Sequence, residues 1–391
     1  MSNERQILIV GGGIAGLALA LALARLGRAA IVLESRPRFE TAGAGIQLGA
    51  NGVRVLQRLG VAAALTGAVG TPEAIDVFDG PSAARLARLP LGAWFAARHG
   101  APYWTMHRGD LNRVLWQAAA NEPSILLRPG FALASVRQEA GGVVATDGGG
   151  ASVAGSALVG ADGLWSTVRQ TLLPSAAPQF AGATAARTVL TAGQAGSLAA
   201  PHVGLWLGPG ANVVHYPVRG GSEIAIVIIV RQDWRASGWD TRVDTARVLA
   251  PIAGFHASLT EVLSRAGDYR QWSLYRLSGL PYWSKGRVGL IGDAAHPVLP
   301  HLAQGGALAL EDALLLARLL DRVPGDVAAS LRQFERERRA RAAAVETLSR
   351  RNGRLYHLSP PWSWARNGLL RLLPGAWLMA GYDNLYGWQP H

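Results

Sequence analysis

The sequence predicts an α/β protein, in which a Rossmann-like nucleotide-binding domain is interleaved with a mostly antiparallel β-sheet domain and closed by C-terminal helices. Three observations predict it. A short apolar run at residues 6–10 stops at three glycines and leads into an Ala- and Leu-rich stretch. Between residues 184 and 231 the chain changes to Val-, Ile- and Thr-rich runs separated by Gly and Pro. After Gly353 it carries Pro360-Pro361, Pro374 and four tryptophans. A chain of 391 residues exceeds one small core and suits two domains.

Taken in order, residues 6–10 read as a buried strand, 14–26 as a helix ending at Gly27, and 29–34 as a second strand. Strand, helix and strand at this spacing form the unit of a parallel sheet. Residues 184–191, 203–207, 212–218 and 223–231 read as strands of the antiparallel sheet. Residues 287–292 read as another buried strand and 307–320 as a long amphipathic helix. The nucleotide-binding domain is expected over 1–70, 101–178 and 278–350, the substrate domain over 71–100 and 179–277, and a helical tail over 351–391. For that tail, helices clamped to the body by Trp362, Trp364, Trp377 and Trp388 are the favoured reading over a membrane-surface anchor.

Composition narrows the function. With 49% hydrophobic and 16% charged residues the chain is an ordered globular protein. It has no cysteine, which excludes disulfides, thiolate nucleophiles and zinc–thiolate sites; no metal site is expected. The N-terminus lacks signal-peptide design, and the apolar stretch 14–24 is too short to span a bilayer. A cytoplasmic protein is expected. The net charge of +12 is almost all arginine, Lys285 being the only lysine. The arginines are dispersed, and the dense run from Arg332 to Arg341 alternates with Glu335 and Glu337 as on a solvated helix face. No nucleic-acid partner is expected; an anionic cofactor and an anionic substrate account for part of the charge.

Three motifs carry chemistry. The first is Gly11-Gly12-Gly13-Ile14-Ala15-Gly16, between strand and helix. Gly11 permits the tight turn, Gly13 lets a pyrophosphate approach the backbone, and Gly16 lets helix and strand pack closely. The helix N-terminus offers N–H groups and partial positive charge to phosphates. Glu34 ends the second strand where an acid bonds ribose hydroxyls. Arg36 either reaches the adenosine half of the ligand or stands in solvent. The second motif is Val159-Gly160-Ala161-Asp162-Gly163-Leu164-Trp165-Ser166-Thr167-Val168-Arg169. The third is Gly292-Asp293-Ala294-Ala295-His296-Pro297, followed by Pro300-His301-Leu302-Ala303-Gln304-Gly305-Gly306 and Glu311-Asp312-Ala313.

In this order and spacing, over nearly the whole chain, the motifs resemble those of the single-component FAD-dependent aromatic hydroxylases, such as the salicylate, 3-hydroxybenzoate and 6-hydroxynicotinate hydroxylases. The resemblance implies FAD as cofactor and NADH or NADPH as transient co-substrate. It implies hydroxylation of a small aromatic substrate by O2 through a flavin C4a-hydroperoxide. It implies that Asp293 bonds the FAD ribityl chain, that Arg108 contacts FAD, and that the segment of Asp162 and Arg169 serves FAD and nicotinamide binding; an intra-loop salt bridge between Asp162 and Arg169 is the alternative. The helix beginning near Gly305 and Gly306 then points its N–H groups at the flavin pyrimidine, where negative charge develops.

The substrate pocket is expected between the antiparallel sheet and the flavin ring, lined by Gln47, His215, Tyr216, Pro300 and His301. Gln47, in Gly43-Ala44-Gly45-Ile46-Gln47-Leu48, cannot take a proton, although a histidine base is expected there in the hydroxynicotinate enzymes. His215 and Tyr216 are neighbours in one strand and face opposite sides, so one meets the ligand and the other packs. His301 either activates a substrate hydroxyl or only shapes the pocket, with Tyr216 or Arg187 holding a carboxylate. A homodimer is the assembly to test.

Other readings remain beside this one. The same flavin architecture acts on larger quinone, polyketide or antibiotic-like substrates. A halogenase fits less well, because Trp362-Ser363-Trp364 lies after Asp293 and lacks a following Ile-Pro. A hydrolase or nucleoside-triphosphate enzyme lacks its motifs, Lys285 having no P-loop before it. A non-enzymatic FAD-binding regulator is the remaining class.

Overall fold

The computed structural model describes residues 6–38, 45–235, 238, 240–277, 279–323 and 325–389. The first apolar run forms the fully buried strand Ile7–Val10. Gly11, at φ +108°, turns the chain out of it. The helix Ile14–Ala24 follows, so apolar that nearly every residue is buried. A Cβ on Gly16 would come within 2.0 Å of the Gly11 carbonyl oxygen, so only glycine lets this helix lie so close to the turn. Ala30–Glu34 returns beside the first strand in parallel.

These strands lie within a six-stranded sheet, ordered Ser284–Lys285, Val288–Leu290, Ala157–Gly160, Ile7–Val10, Ala30–Glu34, Ile125–Pro129. Every pairing is parallel except that of the two-residue edge strand. A second sheet has eight strands, ordered Thr241–Val243, Tyr269–Arg276, Gln179–Thr191, Glu223–Arg231, Ala211–Val218, Val203–Gly208, Ala74–Asp79, Arg85–Pro90. It is antiparallel except where Val203–Gly208 runs parallel to Ala74–Asp79. The architecture is therefore the mixed α/β fold expected. The sequence reading found four strands of the second sheet and missed Ala74–Asp79, Arg85–Pro90, Thr241–Val243 and Tyr269–Arg276. Their charged residues, such as Asp76, Arg88 and Arg270, interrupt the apolar pattern.

Helix Gly305–Arg322 packs against helix Ile14–Ala24 and against the 30-residue helix Val327–Tyr356. At this junction the arginine run departs from its expected solvated face. Arg338 is buried at 1% exposure. It donates from Nε to Asp312 Oδ1 (2.7 Å) and ion-pairs through Nη2 with Glu311 Oε2 (2.9 Å). Arg341 bonds Glu311 with both Nε and Nη2 at 2.6 Å. Asp312 also accepts from the Gly292 backbone N–H (2.9 Å) and meets His296 Nε2 at 2.6 Å. The Asn51 amide donates to both Glu311 (2.7 Å) and Gln304 (2.9 Å). Two adjacent acids on the buried face of this helix thus anchor the loop from Gly292 to Gln304.

Burial alone would raise the Asp312 carboxyl, but the charges of His296 and Arg338 outweigh it and hold it at about 2, below the ordinary 3.8. A depressed carboxylate stabilises the fold above its ordinary pKa and loses that contribution as pH falls from about 3.8 towards 2. Arg338→Met leaves two buried acids short of a partner, a loss of roughly 3–5 kcal/mol. Denaturant unfolding is expected to show that loss, and the acid-unfolding midpoint is expected to move to higher pH. An unchanged denaturation midpoint would contradict the ion pairing described.

Candidate active site

The glycine turn, the Asp293 loop and the eight-stranded sheet converge on one cleft. A cavity of about 300 Å³ is lined by Gly13, Ile14, Ala15, Arg108, Asp293, Gly305 and Gly306 on one side and by Tyr216, Val227, Ile229 and Trp272 of the sheet on the other. A Cβ on Gly13 would meet nothing within 4 Å, so the space before this residue is open. The helices that begin at Ile14 and Gly305 both start at the cleft and supply N–H groups and positive dipole ends. Glu34 is fixed at the end of its strand, accepting from the Gly12 N–H (2.7 Å) and the Arg36 N–H (2.9 Å). Arg36 itself is exposed.

Asp293 opens onto the cleft, yet enough protein surrounds its carboxyl that desolvation raises it above the usual carboxylate range, with Arg108 pulling the other way. Asp162 and Arg169 stand differently. Asp162 accepts from the Ser166 hydroxyl (2.5 Å) and the Val168 N–H (3.1 Å), capping the short helix Thr167–Leu172. Arg169 is buried and donates to the carbonyls of Leu164 (2.5 Å), Ala176 (3.3 Å) and Ala294 (3.1 Å). These bonds lock the loop, and its neighbours Ala161 and Gly163 line the cleft instead. An open turn, two helix ends, an acid and an arginine facing the gap are what a flavin dinucleotide requires. The residues present fit FAD.

A second, larger chamber of about 520 Å³ adjoins the cleft. Gln47, Val214, Pro300 and Ala303 line both. Its floor is the sheet, through Ile75, Val77, Leu205, Leu207 and Val214, and its roof is the C-terminal helices, through Leu369, Leu370, Leu373 and Leu378. Ala303 holds the left-handed conformation at φ +52°, a strained position for a non-glycine residue, at the point where the chambers meet.

Among apolar walls the chamber's polar groups stand out. Gln47 Oε1 accepts from the Tyr103 hydroxyl (2.8 Å). His301 packs edge-on to Tyr356 and His357, with ring centroids at 6.1 and 5.7 Å. Its buried Nδ1 has no hydrogen-bond partner among the described residues. Burial lowers its pKa to about 4, so it is a neutral imidazole at pH 7. His357 Nε2 lies 2.8 Å from Asn212 Oδ1; because that oxygen only accepts, His357 is the donor. Asn212 is buried too, and its Nδ2 is without a partner among the described residues.

Of the pair in strand Ala211–Val218, Tyr216 lines the cleft, and burial raises its hydroxyl pKa. His215 faces the other way, so the expectation of it as a catalytic residue is corrected. It sits edge-on to His202 at 5.8 Å, in the space that a side chain on Gly204 would need, and burial holds it at about 3. Arg187 lies on the cleft side of the sheet but lines neither cavity. It is engaged by Asp240 and lies 5.4 Å over the Trp272 ring. Arg351, at the exposed rim of the chamber, makes no ion pair among the described residues. The sequence reading missed Asn212, His357, Tyr103 and Arg351. Strand alternation held the signal for Asn212, which shares a face with Tyr216. Gly43 and Ala44, which open the Gln47 motif, lie outside the described residues.

Comparison with known proteins agrees with this geometry. Residues 4–349 match the family model described as an FAD binding domain. The chain is 36% identical to the 3-amino-4-hydroxybenzoate 2-monooxygenase PtnB3 of Streptomyces platensis, covering 99% of this chain and 97% of that protein. It is 33% identical to the 3-hydroxybenzoate 6-hydroxylase of Klebsiella oxytoca, covering 100% and 98%. A salicylate hydroxylase substrate complex superposes with a TM-score of 0.84 at 26% identity, covering 99% of this chain and 96% of that one. The chain belongs to the FAD-binding-domain family of flavoprotein aromatic hydroxylases, and is an FAD-dependent monooxygenase that uses NAD(P)H and O2.

Proposed function

We propose that the substrate is a small hydroxylated aromatic acid bound in the larger chamber. One observation carries the reading: two buried, unpartnered polar atoms, Asn212 Nδ2 and His301 Nδ1, in an apolar cavity that shares a wall with the flavin cleft. Leaving such atoms unpaired costs about 1–3 kcal/mol each, which a ligand with matching groups recovers. The ring occupies the apolar space, its hydroxyl meets His301 and Asn212, and its carboxylate points to Arg351. The substrates named for the two relatives, an aminohydroxybenzoate and a hydroxybenzoate, have this chemistry. Favouring a larger aromatic substrate is the chamber's size, in the middle of the range for drug-sized ligands.

For FAD, we assign the pyrophosphate to the turn at Gly11, Gly13 and Gly16, and the adenosine ribose to Glu34, with Arg36 beside it. The ribityl chain goes to Asp293, the flavin pyrimidine to the N–H groups at Gly305 and Gly306, and Arg108 lies along the cofactor. Asp162 supports the cofactor loop from behind. Bound there, FAD supplies the redox chemistry that activates O2. His301, neutral, accepts the hydroxyl hydrogen bond and raises the ring's electron density. His357 fixes the Asn212 amide so that Nδ2 faces the substrate oxygen. Gln47, held by Tyr103, and Tyr216 close the flavin side, and Pro300 shapes the passage. The apolar walls exclude water from the reacting centre. The division into nucleotide-binding segments 1–70, 101–178 and 278–350 and a substrate domain over 71–100 and 179–277 is part of this proposal, supported by the assigned cofactor residues all falling in the first three segments. Dependence on NAD(P)H supports a cytoplasmic protein.

Three variants and a substrate panel test the reading. Gly13→Val is expected to fold, since the space around Gly13 is open, but to lose FAD because the side chain fills the phosphate position. Asp293→Ala removes a hydrogen bond of about 1.5–3 kcal/mol, lowering FAD affinity roughly ten- to hundredfold by flavin-fluorescence titration. Flavin retained at wild-type affinity in both variants contradicts the assignment.

His301→Ala is expected to keep FAD and ligand-stimulated NAD(P)H oxidation while slowing oxygen transfer about 10²-fold, so that peroxide accumulates. A loss under about threefold with unchanged coupling removes His301 from this role.

The substrate class is tested with a panel of hydroxylated benzoates and nicotinates, scored for stimulated NAD(P)H oxidation and hydroxylated product. At least one is expected to give product nearly stoichiometric with NAD(P)H. If only larger aromatics do so, the proposed class is wrong.

A further inference from the structure

Helix Trp362–Leu372 is built inside out. Its buried residues are Ser363 and Asn367. Asn367 Nδ2 donates to Asp79 on the sheet (2.8 Å). Facing outward are Trp362 at 71% exposure, Trp364 at 68%, Leu369 at 57% and Leu372 at 82%; Trp377 in the next helix, Gly375–Ala380, stands at 75%. At 100° per residue, Trp364, Leu369, Leu372 and Trp362 fall within one half of the helix, opposite Ser363 and Asn367. A helix resting in water has the reverse arrangement. The expected clamping by tryptophans holds for Trp388, whose ring lies about 5.3 Å from Arg338 and 5.5 Å from Arg341. It does not hold for the other three.

Charge identifies what covers this face. From residue 347 to residue 382 there is no Asp or Glu, while Arg350, Arg351, Arg354, Arg366 and Arg371 all fall in that span. The nearest acids are occupied: Glu346 by Arg350, Asp79 by Asn367, and Asp383 by Arg98. A second copy of the chain would set these arginines against themselves. An anionic lipid surface meets both features, taking indole and leucine side chains at its interface and attracting the arginines.

We propose that the helices Trp362–Leu372 and Gly375–Ala380 form a docking face for anionic lipid bilayers, on which the protein lies peripherally. Among the described residues no helix is long and apolar enough to cross a membrane, so the attachment is to the surface. Leu369 and Trp377 also line the large chamber, so the chamber's roof is the part of the molecule that meets the lipid. This docking stands whether or not the chamber takes an aromatic acid.

The test is flotation of the FAD-loaded full chain with phosphatidylglycerol/phosphatidylcholine vesicles and, separately, with phosphatidylcholine vesicles. The expected result is binding to the anionic vesicles that weakens with added salt and falls at least about tenfold in the Trp362→Ala/Trp364→Ala variant. Neither tryptophan lines the chamber, so FAD content and vesicle-free NAD(P)H oxidation are expected to match wild type in that variant. No binding to anionic vesicles, or equal binding by the variant, overturns the proposal. So does a wild-type dimer that the double variant abolishes, because a second copy would then cover the face.

Discussion

The structure depends on one buried charge cluster, in which Arg338 and Arg341 from the long C-terminal helix close on Glu311 and Asp312 from the helix beside the cofactor cleft. Through one carboxylate oxygen, Asp312 holds the Gly292 backbone and His296; through Asn51, Glu311 is joined to Gln304. The segment between those anchors contains Asp293, Pro300, His301 and Ala303, which face the two cavities. Stripping charges of water is costly, and this cluster recovers the cost only with every member in place. The loop is therefore tied to an all-or-none arrangement, which suits a site that must fix a cofactor and a substrate relative to each other.

The same helix that supplies Arg338 also supplies Arg351, Asn352 and Tyr356 to the chamber, and its C-cap is His357. Cofactor loop and substrate chamber are thus mounted on one rigid rod. His357 completes the link by bonding Asn212 in the floor of the sheet. A hydrogen bond at the chamber wall, made by a histidine that burial keeps at about 3, orients an amide without adding charge to an apolar cavity.

What could be read in the sequence was local. The turn from Gly11 to Gly16 declares itself because three glycines, a strand and a helix are contiguous. Alternation in one strand correctly separated His215 from Tyr216. The buried cluster was harder to see, because Asp312 and Arg338 are far apart in sequence and an Arg/Glu alternation looks alike on a solvated and on a buried face. The available signal was the acid pair Glu311-Asp312 inside the otherwise apolar stretch 307–317, which has to find cations. The chamber was least legible: Gln47, Tyr103, Asn212, His301 and Arg351 come from five separate elements. The tail misled for a physical reason. Tryptophans usually bury, and only the contact of Asn367 with Asp79 reveals that this helix turns its polar side inward.

The central claim is that the Arg338–Asp312 cluster holds the loop that forms both cavities. Native-state amide hydrogen exchange of wild type and Arg338→Met, both under conditions where the variant remains folded, tests it most directly. The account predicts a selective loss of protection over residues 292–304, with the parallel-sheet strands Ile7–Val10 and Ala157–Gly160 little changed. Loss of protection spread evenly over the molecule, or none in the 292–304 segment, would contradict it.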